Sequence, residues 1–212
     1  MNERIVEMKA TLEACFTVQK IATAAWHETD VDEPDFDGEY SMENMRNLVM
    51  RQHAKNFQLW HVEDNARRLD VSDSVIAACK RDIDKLNQKR NDFIEELDRC
   101  LNSLLQPALP TDAEQRINTE TVGMALDRLS ILSLKLYHME EETRRIDVSA
   151  EHIENCRKKL DVLEKQHAAL SRAVLELVDE YAAGSKVPAS YYQFKMYNDP
   201  ELNPQLYNRK AK

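Results

Sequence analysis

Apolar side chains recur along this chain at alternating steps of three and four, the spacing of a helical face packed on other helices. From Asn2 to His27 the seam is Ile5, Met8, Leu12, Cys15, Gln19, Ala22 and Trp26. A second helix is predicted after Ser41, a capping residue followed by acidic Glu43 in the first turn. It continues to about Leu69 and carries two stripes: Leu48, Leu59, Val62, Ala66 and Leu69, and Val49, Met50, His53, Phe57 and Trp60. Two stripes predict a helix covered on more than one side. The turn Asp70-Val71-Ser72 is short enough to send helix three back antiparallel, with Asp70 or Ser72 as its cap. Helix three has the seam Ile76, Cys79, Ile83, Leu86, Arg90, Phe93, Leu97, Cys100 and Leu104. Two prolines in Gln106–Asp112 end it. Helix four, roughly Thr119–Ile146, and helix five, about Ser149–Ala183, follow; the latter stops at Gly184.

The pattern repeats. A shift of 77 residues carries His61 onto His138, and seven of the twelve positions from His61 to Ser72 are then identical. Chance matches about one position in sixteen. Ile76/Ile153, Cys79/Cys156, Asp84/Asp161 and Leu86/Leu163 match as well. The seam of the second copy is Ile153, Cys156, Leu160, Leu163, His167, Leu170, Val174, Leu177 and Tyr181. Its one polar, potentially cationic exception, His167, falls on the exception of the first copy, Arg90. Self-similarity at a fixed period sets the architecture. The fold class predicted is all-α: an antiparallel bundle of about five long helices built from two duplicated hairpins. One domain is expected over residues 1–185, with helix one at 2–27, hairpin A at 41–105 and hairpin B at 118–184. The tail, 186–212, holds four of the seven tyrosines and three prolines and is expected to lie across the bundle or to be ordered by a partner.

Composition narrows the function classes. Only 3 Gly and 6 Pro in 212 residues leave too little punctuation for many strands, and nearly exclude a phosphate-cradling loop. A net charge of −9 argues against nucleic acid, which needs a concentrated basic surface. No apolar run approaches the ~18–20 residues that span a bilayer, and the charged start MNERIVEMK is not a secretory signal. Cys15, Cys79, Cys100 and Cys156 sit at helical seam or apolar positions without CxxC pairing, as buried reduced thiols of a cytoplasmic protein do. The acidic loop with Asp30, Asp32, Asp35 and Asp37 lacks the EF-hand register and reads as a solvated connection.

The stretches LWHVEDNARR, KRDIDKLNQKRND and VGMALDRLSILSLKLYHMEE resemble the bacterial family known as domain of unknown function 4254, over about Ser41 to the end. The resemblance implies an all-helical cytoplasmic protein of Gram-negative bacteria. It also implies a gene setting near glycosyltransferases of cell-surface polysaccharide assembly, and it carries over no catalytic residue.

Three sets of residues are candidates for chemistry. The first is a polar layer of His53, Asn56, Asn87, Arg90, Asn91 and Asp92, for which the second copy substitutes Ser130, Ser133, Glu164, His167, Ala168 and Ala169. His53 is expected opposite Asn87–Asn91. A buried Arg90 needs a carboxylate, an amide or a bound anion; a register-setting polar pair is the plainer alternative. The second is a duplicated charge ladder of His61, Glu63, Asp64, Arg67 and Arg68 with His138, Glu140, Glu141, Arg144 and Arg145. Its acids precede their arginines by four residues, the favourable order. The third reads part of the same motif as a dinuclear metal centre of His61, Asp64, Asp84, His138, Glu141 and Asp161. The ladder disfavours it, because carboxylates held by guanidinium groups are poor ligands, so no metal and no cofactor is expected.

No serine or cysteine nucleophile is legible. The leading expectation is a non-enzymatic helical adaptor with a protein partner or a second copy of itself, tied to surface-glycan assembly. The alternatives are a small-ligand or anion pocket centred on Arg90, with or without catalysis, and the dinuclear metal bundle. Long seams and double-striped helices are compatible with a homodimer.

Overall fold

Seam positions end up facing inward. The computed structural model describes residues 2–207; residue 1 and the last five of the tail lie outside the described residues. It contains the helices α1 (Glu3–Trp26), α2 (Met42–Asn65), α3 (Asp73–Leu105), α4 (Val122–Thr143) and α5 (Ala150–Ala182), and a one-turn α6 (Pro204–Tyr207). There is no strand among the described residues. The fold is an all-α bundle. All seven seam residues of α1 are buried, and every seam position of α3 and α5 is buried or partly buried.

α2 pairs with α3 and α4 with α5 as two antiparallel hairpins, and α1 packs over α4, α2 and α5. Six consecutive residues of α2, Gln52–Phe57, are buried. A helix buried all the way round is an inner helix, as its two stripes predict. α2 nevertheless ends at Asn65, four residues before the expected Leu69, which is 101 % exposed. The cause is local: Arg68 turns forward to grip Asp70 at 3.0 and 2.8 Å, and the chain is already in the turn. Arg145 and Asp147 repeat the grip at the same two distances. The duplicated motif is therefore a hairpin-tip staple. Capping differs between the copies: Ser149 accepts from the His152 N–H at 3.1 Å, whereas Ser72 makes no side-chain cap. Asp70 caps neither.

The two halves meet across a pseudo-twofold axis. His53 Nδ1 lies 2.7 Å from the hydroxyl of Ser130, its own counterpart 77 residues on, and the rings of His61 and His138 lie 6.0 Å apart. Residues that touch their own repeat equivalents sit on the axis. Around it runs a belt of buried polar groups, with the main apolar core on one side. A smaller cluster of Ala22, Trp26, Ala54, Phe57 and Leu134 occupies the other.

Backbone chemistry fixes the proton positions in this belt. The Thr23 hydroxyl donates to the Gln19 carbonyl (2.8 Å), so it must accept from His53 Nε2–H at 3.1 Å. That leaves His53 Nδ1 to accept from Ser130, whose oxygen in turn accepts from Asn56 Nδ2 at 2.9 Å. His53 is the neutral Nε2–H tautomer, fully buried.

Gly123 positions α4. Its N–H donates to Asp98 Oδ1 at 2.8 Å, and a β-carbon there would stand 2.8 Å from both that oxygen and the Ile94 carbonyl. Asp98 is 2 % exposed, and burial pushes its carboxyl up to about 6. Helix propensity alone favours Gly123→Ala by about 1 kcal/mol, but overpacking costs about 1–3 kcal/mol. The variant is expected to be less stable in urea denaturation. A gain of the size set by propensity would show that the helices part freely here.

A pH dependence follows from His53. Burial pushes its imidazole from 6.5 down to about 4. Between those values the unfolded chain binds more protons, so the stabilisation is whole above pH 6.5 and is lost as pH falls towards 4. At about 1.4 kcal/mol per pH unit the loss amounts to about 3 kcal/mol. His53→Gln is expected to be less stable at neutral pH but to show a flatter dependence across that window. The check is urea denaturation at stepped pH, and an unchanged slope would assign the uptake to another group.

Candidate functional site

Arg90 is the seam residue that does not fit an apolar core, and a cavity opens beside it. Its Nη1 reaches Asn56 Oδ1 at 3.5 Å, and its Nε stands 3.8 Å from Asp127 Oδ1. That Nε is buried with no hydrogen-bond partner among the described residues. Asp127 Oδ1 is already engaged, accepting from Asn56 Nδ2 at 2.9 Å and from Gln52 Nε2. Burial raises the Asp127 carboxyl above the ordinary range, against the pull of Arg90 and the two amides. The guanidinium is thus held in place yet under-satisfied, although it has five donors to place.

The cavity has a volume of about 480 Å³, within the usual range for small ligands. Its walls carry Arg90, Arg128 and Lys195, Asp84, Glu120 and Asp127, the amides Asn87, Asn91, Gln193 and Asn198, and Tyr197. Arg128 is paired with Glu120. Burial, then Arg90, lowers the Lys195 ammonium below its ordinary range, opposed by Asp92 and Asp84. On its other flank Arg90 and Asn87 border a second cavity of about 310 Å³ with Trp60, Asp64 and Arg67.

The tail supplies one wall. Asn102 Nδ2 donates to Ser190 Oγ (2.9 Å), the Tyr191 hydroxyl to the Asn118 carbonyl (2.9 Å), and the Gln193 N–H to Glu95 (2.8 Å). Phe194 then takes a φ of 39°, a left-handed conformation that non-glycine residues seldom adopt. It faces solvent at 79 % exposure, while its neighbours Gln193 and Lys195 line the cavity. A 3-10 turn at Met196–Asn198 follows.

The structure gathers the polar layer only in part. Asn56, Asn87, Arg90 and Asn91 border the two cavities. His53 does not face Asn87–Asn91 as expected; it points at α1 and α4, to Thr23 and Ser130. Asp92 is exposed and accepts from Gln88 at 2.8 Å. His167 stands apart on α5, near Lys20 of α1, where burial pushes its ring down to about 4. In the charge ladder, Glu63–Arg67 and Glu140–Arg144 form. Asp64–Arg68 and Glu141–Arg145 do not, because Arg68 and Arg145 are committed to Asp70 and Asp147; Arg145 also takes Glu142. The six-ligand metal set does not assemble either. Asp84 and Asp161 are held by Lys80 and Lys165 one turn away, and Asp64 joins no cluster of potential ligands among the described residues.

His61 and His138 instead meet a histidine from outside the repeats. His27, just past the end of α1, has its ring centroid 5.1 Å from His61 and 4.9 Å from His138. Tyr137 stacks on His27 at 4.1 Å and Trp60 on His138 at 4.7 Å. A separate trio, Glu142, His152 and Cys156, has contacts of 3.0 and 3.4 Å and ties the tip of the second hairpin. The pattern of the chain flagged Arg90, His61 and His138 through the repeat. It missed His27, Gln52, Asp127 and Lys195, which have no equivalents of their kind 77 residues away.

No curated protein and no solved structure matches this chain. One family model does, over residues 46–189, which takes in both hairpins and leaves out α1 and most of the tail. Its description is "Protein of unknown function (DUF4254)", and it is to this family that the chain belongs.

Proposed function

We infer that this protein binds a small hydrophilic anion of sugar-phosphate size in the cavity beside Arg90. The single observation that carries the reading is a partly buried guanidinium, its Nε enclosed with no acceptor among the described residues, set in the wall of an open cavity. A phosphate or carboxylate group offers such a fork its missing acceptors, and Lys195 supplies a second positive charge. The mixed remainder suits hydroxyl groups: amides donate and accept, carboxylates accept, and Tyr197 offers a ring for an apolar sugar face. Placed in a bacterial cytoplasm near surface-glycan assembly, as the family resemblance suggests, the ligand would be a phosphorylated sugar or a relative of one.

A second reading, the helical adaptor working with a protein partner or a second copy of itself, is favoured by another observation. The hairpin tips expose Leu69 and Ile146, at 101 % and 100 %, and these residues are repeat equivalents. If that reading holds, Leu69→Glu with Ile146→Glu removes a specific partner from native co-precipitates or shifts a dimer to monomer. Identical partners and mass in both forms count against it.

The pocket is tested by calorimetric titration with hexose phosphates, inorganic phosphate and the bare hexose. Hexose phosphate is expected to bind best, and Arg90→Met to weaken it by about 10–100-fold, the worth of a charge-assisted hydrogen bond at roughly 1.5–3 kcal/mol. Equal binding by the variant, or no heat from any probe at millimolar concentration, overturns the assignment.

A further inference from the structure

Of the three histidines that gather at the end of α1, two are oriented by their second nitrogens. His27 Nδ1 lies 2.7 Å from the Thr23 carbonyl, which only accepts, so Nδ1 carries the proton. His138 Nδ1 lies 2.9 Å from Glu141 Oε2 and likewise donates. In the neutral form of each ring the Nε2 lone pair is left over, and both Nε2 atoms are buried without a hydrogen-bond partner among the described residues. The nitrogens offered by His27, His61 and His138 all lie within 4.8 Å of one another.

Aromatic packing, stacked and edge-to-face, surrounds these rings but brings no hydrogen-bond partner to either Nε2 among the described residues. Trp60 and Tyr137 cover His138 and His27 by stacking, at interplanar angles of 9° and 19°. An in-plane lone pair needs a donor or a cation, and the stacked neighbours supply neither. Protonating the rings would satisfy the edges only by crowding positive charges together. A metal ion satisfies both Nε2 lone pairs at once, with His61 near enough to be the third ligand. Ligating histidines ordinarily donate their other N–H to a backbone carbonyl or a carboxylate, which fixes tautomer and ring orientation. Thr23 and Glu141 do that here.

We propose that His27, His61 and His138 bind one divalent transition-metal ion, zinc in the first instance, with Thr23 and Glu141 orienting two of the rings. Neutral imidazoles suit zinc, copper, nickel and cobalt rather than magnesium or calcium. Zn–N bonds of about 2.0–2.1 Å bring the nitrogens to roughly 3.4 Å separation, an adjustment of about an ångström that side-chain torsions provide. Three protein ligands leave a fourth position for water or an incoming group, the arrangement of catalytic rather than structural zinc. The site is mononuclear and takes one ligand from each of α2, α4 and the segment after α1. It does not depend on what the Arg90 cavity binds.

The test is titration of the chelator-treated full chain with Zn²⁺ by calorimetry and with Co²⁺ by visible absorption. One equivalent per chain is expected, with the intense ligand-field bands of a four-coordinate cobalt site. His27→Ala, His61→Ala and His138→Ala should each abolish it. Glu141→Gln should weaken Zn²⁺ by about 10–100-fold, and His152→Ala should change nothing. Histidine-to-glutamine versions keep the side-chain volume where alanine unfolds the bundle, and far-UV circular dichroism verifies folding. Stoichiometric binding that survives in all three histidine variants, or a folded wild-type chain that takes up neither ion, overturns the assignment.

Discussion

A run of six buried residues on α2 that includes Gln52, His53, Lys55 and Asn56 is the constraint on which the rest of this structure depends. Polar groups out of water cost several kcal/mol each when unpaired. A helix carrying four of them inside a bundle is therefore tolerable only where neighbours offer partners. α1 offers the Thr23 hydroxyl, α4 offers Ser130 and Asp127, and Glu33 in the first loop takes Lys55 at 2.5 Å. A slip of α2 by one turn against α4 would strand all of them. The two halves are thus set in register by hydrogen bonds, with apolar packing filling the space on either side.

Much of this was legible from the chain because the repeat and the helical period report the same thing twice. The seams of α1, α3 and α5 face inward at every position, and the double stripe on α2 marks it as the inner helix. Less legible was what each polar residue faces. Periodicity gives the angle of a side chain on its own helix. It does not say which neighbour occupies that angle when three helices surround it, so the period points His53 at α3 although α1 and α4 hold it. Nor does the i,i+4 rule foresee competition. Arg68 had Asp64 one turn behind and Asp70 two residues ahead, and the turn delivers Asp70 in bidentate geometry, which is the stronger arrangement. That choice sets Asp64 and Glu141 free, and Glu141 is then available to His138.

Duplication explains the candidate sites only up to the point where symmetry breaks. A lone α1 cannot lie symmetrically on a pseudo-twofold axis, so its end falls to one side, and His27 stacks on Tyr137 while Trp60, the repeat equivalent of Tyr137, stacks on His138. The cavity beside Arg90 is equally one-sided. Asp127 replaces Met50 of the other half, and the tail residues Gln193, Lys195, Tyr197 and Asn198 wall this face. The equivalent of Arg90, His167, is instead buried near α1. One copy leaves this position partly exposed at a cavity wall and the other covers it. Residues without a repeat equivalent of their kind, Asp127, Lys195 and His27 among them, are invisible to an argument from self-similarity, and they complete the two candidate sites that Arg90, His61 and His138 begin.

The two sites share one hydrogen-bonded path, and its polarity is set by backbone rather than by any ligand. Asn56 Nδ2 bonds both Asp127 and Ser130, Ser130 reaches His53, His53 reaches the Thr23 hydroxyl, and the Thr23 carbonyl receives His27. Two carbonyls, those of Gln19 and Thr23, can only accept. The first forces Thr23 to receive the His53 proton, and hence forces the His53 Nδ1 lone pair towards Ser130. The second forces the His27 proton onto Nδ1 and its lone pair onto Nε2. Spatial continuity of this kind is not coupling, which requires an element with two arrangements. What the path provides is preorganisation: the lone pairs and donors along it are oriented by the carbonyls of helix α1, with no ligand needed to set them.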